Sequence, residues 1–132
     1  MIAALRDRIP AICARYGRPA PVEVRRLTGG TANINFVARF VDAPPIKITF
    51  CLVRDLAGAR RVAGLLKALD DAPIGRLLGE PGDVLAEAGR PALVTRFTDG
   101  APLDAVDRPT AAAIGRLLAA MHRRPPPATP PR

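Results

Sequence analysis

Leu27-Thr28-Gly29-Gly30-Thr31-Ala32-Asn33-Ile34-Asn35-Phe36-Val37-Ala38-Arg39-Phe40 is the stretch whose reading decides the fold. Before it, Val22, Val24 and Leu27 are separated by charged residues such as Glu23 and Arg25. After it begins, Ile34, Phe36, Ala38 and Phe40 alternate with Asn35, Val37 and Arg39. A period of two on both sides of a Gly-Gly turn predicts two antiparallel strands joined as a hairpin. Asp42-Ala43-Pro44-Pro45 turns the chain again, and Ile46 to Arg54 is almost continuously apolar. Such a run predicts a third strand buried on both faces.

Outward from the hairpin, Val62, Leu65, Leu66 and Leu69 recur at helical spacing and predict one apolar helix stripe, stopped by Asp70-Asp71-Ala72-Pro73. Leu77-Leu78, Val84-Leu85-Ala86 and Ala92-Leu93-Val94 are short strand candidates separated by turn residues. Upstream, Ile2, Leu5, Ile9, Ile12 and Tyr16 predict a helix that Pro10 kinks or divides. A last helix opens near Asp107-Arg108-Pro109, carries Ile114, Leu117, Leu118 and Met121 on one face, and gives way to a proline-rich tail. The fold class is therefore α+β: an antiparallel sheet of about five strands with one packed helix, plus flanking N- and C-terminal helices. The organisation reads as an N-terminal helical segment (1–18), a sheet-bearing lobe (19–97), a linker (98–107), a helix (108–123) and a tail (124–132).

The chain has 132 residues and a formal net charge of +8. No apolar run approaches the roughly 20 residues of a membrane span. The first residues lack the charged and apolar regions of a signal peptide, so a cytoplasmic location is expected. Cys13 and Cys51 have no metal spacing and read as buried free thiols of a reducing compartment. Only Lys47 and Lys67 among the basic residues are lysine, and Ala, Pro and Gly are abundant, a joint skew that GC-rich codons would produce. The arginines run from Arg6 to Arg132 without clustering and without interleaved aromatics, which argues against nucleic-acid binding as the main function.

Chemistry concentrates at two places. Gly29 and Gly30 allow backbone amides to approach an anion, and Thr28, Thr31 and Asn33 add short polar groups; a plain hairpin turn would use the same glycines. Leu52-Val53-Arg54-Asp55 ends a buried strand with a cation, either as a solvent-seeking cap or as a group held over phosphates. The Walker A lysine and its strand-to-helix context are missing. No serine occurs anywhere, which excludes a serine nucleophile.

In their order, the glycine-turn hairpin, Leu52-Val53-Arg54, the single helix, the following strands, Phe97-Thr98-Asp99-Gly100-Ala101-Pro102-Leu103 and Ile114 to His122 resemble a known family. The chain is similar to the aminoglycoside phosphotransferase and choline/ethanolamine kinase superfamily, with its protein-kinase-like fold, over about residues 22–122. The resemblance implies an ATP-dependent phosphotransferase that uses Mg²⁺ and a small-molecule hydroxyl acceptor. It implies that Gly29, Gly30, Thr31 and Asn33 cover the nucleotide, that Arg54 pairs with its phosphates, and that Thr95, Arg96 and Phe97 lead into a hinge whose backbone meets the adenine edge. Phosphoryl transfer is mostly positioning and charge neutralisation, so a cradle and a cation are what such a lobe must supply.

The departures are specific. The stretch Ala59-Arg60-Arg61-Val62-Ala63-Gly64 lacks the glutamate that usually pairs with the strand-three cation, leaving Asp55, Asp70 or Asp71 as alternatives. Beyond Asp107 there is no Asp and no Asn, so the catalytic loop and metal-binding aspartate are missing. His122 is expected to end a helix, where an imidazole suits the dipole. The expectation is an N-lobe, linker and first helix of a second lobe, with no catalytic or metal-ligating residue of its own. A stand-alone nucleotide- or partner-binding module, and self-association through Ile114, Leu117, Leu118 and Met121, are the alternatives.

Overall fold

A computed structural model of the chain describes residues 1–28, 32–69, 76–98 and 108–122. The elements run α1 (Ile2–Asp7), α2 (Ile9–Arg15), β1 (Glu23–Leu27), β2 (Asn33–Arg39), β3 (Ile46–Cys51), α3 (Leu56–Ala68), β4 (Leu85–Glu87), β5 (Arg90–Arg96) and α4 (Arg108–His122). The five strands form one sheet in the order β1-β2-β3-β5-β4, every neighbouring pair antiparallel. The α+β class and the antiparallel sheet expected from the pattern are what the chain adopts.

Proline 10 divides the N-terminal segment rather than kinking it. Its missing N–H and its ring are tolerated only at the start of a helix, and it sits in the first turn of α2, just after the break at Arg8. The two short helices bury Leu5, Ile9, Ile12 and Cys13 against Ile34, Phe36, Ile48, Phe50 and Val94. Phe36 and Phe50 meet edge to face at 5.9 Å. The N-terminal helices are therefore a packed layer on one sheet face, more than the flanking segment the sequence suggested.

Helix α3 covers the other face, but not with the expected stripe. Its buried positions are Gly58, Ala59 and Ala63, whereas Leu65 is 47% exposed and Val62 and Leu66 are only partly buried. Small residues let the helix lie close to Cys51, Leu93, Val84 and Leu77, with Leu56, Val62 and Leu66 packed partly buried around them.

The strand candidates resolve unequally. Ile46–Cys51 forms the central strand, flanked by β2 and β5, and the apolar residues after Cys51 lie beyond it. Val84-Leu85-Ala86 and Ala92-Leu93-Val94 correspond to β4 and β5, joined through Ala88 (φ 51°) and Gly89 (φ 79°) in a two-residue hairpin loop. Leu77-Leu78 is no strand: Leu77 makes an isolated antiparallel bridge to Thr95. Among the described residues, no helix is long and apolar enough to cross a membrane.

Candidate functional site

Gly29, Gly30 and Thr31 lie outside the described residues. The base of their turn is placed. Leu27 pairs with Asn35 across the hairpin, Asn33 opens β2 opposite Cys51, and the Leu52 N–H donates to the Ala32 carbonyl at 3.2 Å. The ladder thus continues past β3 and ties the turn to the segment that carries Arg54.

Arg54 stands three residues beyond the last residue of β3, exposed, immediately before α3. Asp55 does not serve it as counter-ion. In extended backbone, Asp55 is the N-cap of α3 and its Oδ1 accepts from the Gly58 N–H at 2.7 Å. That bond satisfies one of the helix's orphan donors. Asp70 and Asp71 lie outside the described residues, and among those described no carboxylate forms an ion pair with Arg54.

Val53, Arg54, Asp55, Gly58, Arg61 and Val62 line an open cleft of about 420 Å³ at the N-terminal end of α3. Arg61 is the residue that sequence reasoning passed over. It sits where an acid was sought and folds back along the first turn: a Cβ on Gly58 would come within 3.6 Å of its Nη2, 3.5 Å of Arg54 Cβ and 3.1 Å of Asp55 Oδ1. The pairing expected of a cation and a glutamate is replaced by two arginines facing one cleft. With the amide dipoles of α3 this is chemistry suited to an oxyanion. Cys51, just inside, is buried; desolvation pushes its thiol up against the opposing pull of Arg54's charge, so it is not a ready nucleophile.

The residues expected to lead into a hinge occupy the opposite end of the sheet. Thr95 pairs with Lys47 and Arg96 with Ile46, while the Phe97 N–H donates to the Pro45 carbonyl at 3.2 Å. The Arg96 N–H is likewise spent, on the Arg76 carbonyl at 2.8 Å. The expected backbone contact to a base therefore cannot use either of these two donors. The Arg96 side chain is exposed, and Arg39 lies 5.9 Å over the Phe97 ring. Asn33 and Thr95 share the α3 face of the sheet by register, so the structure brings Asn33 and Arg54 together at one end and Thr95 and Phe97 at the other.

Lys47 is the second residue the sequence reading missed. It is half-buried on β3, across from Thr95 and Val37, on that same face. Thr95 is 6% exposed and its Oγ1 has no hydrogen-bond partner. A lysine interrupting the apolar run from Ile46 was the available signal. Nearby, the Thr49 hydroxyl donates to Asn35 Oδ1 at 2.6 Å.

Among the described residues, no group of three or more His, Cys, Asp or Glu side chains is placed to hold a metal ion. Compared with models of known protein families and with curated proteins, the chain matches none.

Proposed function

We propose that the chain is the nucleotide-binding lobe of an ATP-dependent small-molecule phosphotransferase of the aminoglycoside/choline kinase type, acting in the cytoplasm. The observation that carries this reading is the placement of the base of the glycine turn, bonded through Ala32 to Leu52, beside the arginine cleft at the start of α3. The Asn33–Cys51 row and the Ile46–Arg96 row are five residues apart along β3. At the rise of a β-strand that is about 17 Å, a span suited to an extended nucleoside triphosphate. Phosphates at the Arg54 end and a base toward Thr95–Phe97 agree with that separation.

In this reading Arg54 and Arg61 neutralise phosphate charge and Asn33 helps to cover it. The acceptor, a small-molecule hydroxyl, and the Mg²⁺ that the family uses are held elsewhere. The chain binds nucleotide and does not turn over, because the sequence has no Asp or Asn after Asp107. A thermal-shift titration with ATP, with and without Mg²⁺, tests the reading. A saturable stabilisation is expected; none at millimolar ATP overturns it.

A second reading is favoured by α4. Ile114 is 40% and Leu118 48% exposed, an apolar stripe that a partner lobe or a second copy would cover. Sedimentation velocity distinguishes the two: a monomer at high concentration rules out self-association.

A further inference from the structure

Two cations face the cleft at the start of α3. Among the described residues, neither Arg54 nor Arg61 makes a hydrogen bond or an ion pair. Other cations of the same helix are committed to the protein. Arg60 Nε donates to the Val84 carbonyl at 3.2 Å, and Lys67 Nζ lies 3.4 Å from Glu80 Oε1. Arg54 and Arg61 are both exposed, so a ligand in the open cleft reaches both guanidinium groups. Asp55 is the acid of the lining, and its Oδ1 is already bonded to the Gly58 N–H at 2.7 Å.

A guanidinium presents a fork of donors and has no acceptor. Two such forks on one cleft call for a ligand with several oxyanion groups close together, as a di- or triphosphate has. A magnesium ion chelated by the phosphates withdraws acceptor oxygens from those forks and cancels charge that would attract them. It also brings a third cation to a place where two already repel each other.

We propose that the Arg54–Arg61 cleft takes a polyphosphate group in its metal-free form, so that Mg²⁺ weakens binding to this chain. The inference rests on the nucleotide-binding reading for the identity of the ligand and adds the ionic form in which it binds. Asp55 opposes the anion, and the two arginines outnumber it.

The full chain is titrated calorimetrically with ATP and separately with inorganic tripolyphosphate, each in EDTA and in saturating Mg²⁺ at equal ionic strength. Half-saturation for ATP is expected to be about fivefold lower in EDTA, the effect of roughly one exposed ion pair. Arg61→Ala is expected to bring that ratio toward one, whereas Arg26→Ala, on β1, keeps it. Arg61→Gln carries the test should Arg61→Ala fail to fold. Equal half-saturation with and without Mg²⁺, or tighter binding with it, overturns the inference and leaves the nucleotide reading standing. Metal-free tripolyphosphate that binds while ATP does not overturns the nucleotide reading alone. No binding of either ligand overturns both. A ratio unchanged by removal of Arg61 takes the effect away from this cleft and also overturns the inference.

Discussion

The Glu87 carboxylate accepts from Arg8 Nε at 3.0 Å and also from Arg15 Nη1, so one acid of β4 holds both ends of α2, its N-cap at the break and its last residue. Glu87 is 5% exposed. Burial works to raise its pKa, but the hydrogen bonds and charges of Arg15 and Arg8 outweigh it and hold the carboxyl below the ordinary glutamate range.

Removing that acid leaves two cations facing each other across a buried position. Arg8 is 50% and Arg15 33% exposed at the side chain, so water recovers part of the loss. Glu87→Ala is expected to destabilise the fold by about 2 kcal/mol, below the range for a fully buried pair. Urea denaturation of the two proteins measures it.

The same clamp sets an acid sensitivity. A carboxyl whose folded pKa is depressed contributes stability at pH above its unfolded value, and that contribution disappears as pH falls through the folded value. Native stability should therefore decline below about pH 4.3, the ordinary glutamate value. Glu87→Gln should be less stable than the native chain at neutral pH and should lose less on acidification. Parallel slopes for the two proteins would contradict this assignment.

The packing of α3 gives a contrast between two positions. Ala63 is fully buried against the sheet, so Ala63→Leu overpacks the interface and is expected to cost about 1–3 kcal/mol. Leu65, on the stripe that periodicity favoured, is half exposed, and Leu65→Ala should stay within about 0.5 kcal/mol apart from cap and propensity effects. Thermal melts of both variants decide which face is the core.

For the arginine cleft, Arg54→Ala and Arg61→Ala are each expected to raise the half-saturation for ATP by about tenfold, as loss of a charge-assisted contact would. Circular dichroism of the variants checks that the fold is kept. An Arg61→Ala protein that binds ATP like the native chain removes Arg61 from the site.

The cysteines should be inert in the folded protein. Burial pushes Cys13 up to about 11 against the opposing pull of Arg18, so at pH 8 only about one thiol in a thousand is ionised. Both thiols are buried. A chromogenic disulfide reagent should react at the rate of unfolding, and prompt labelling of the native chain would show an open site instead.

The hairpin around Gly29-Gly30, the buried strand from Ile46 and the last helix were legible because each rests on a local period or a local turn. The buried face of β2 followed from the alternation of Ile34, Phe36 and Ala38. Less was legible of the site. Arg54 stood out as a cation after an apolar run, but Arg61 and Lys47 did not, because what makes them neighbours of the site is their separation in space. Glu87 carries no local signal for the same reason: its partners, Arg8 and Arg15, are more than 70 residues away.

By itself the sequence determined the class of fold, the strand-turn-strand unit and an interruption of the first helix near Pro10, since backbone geometry and side-chain periodicity act over a few residues. Only the tertiary structure decided that α3 buries Ala59 and Ala63 fully and leaves Leu65 exposed, that Asp55 caps a helix instead of pairing with Arg54, and that the Arg18 Nε is left without an acceptor. Those outcomes depend on how closely a helix approaches a sheet and on which buried donors find partners. Both are properties of the assembled layers, set by packing and desolvation.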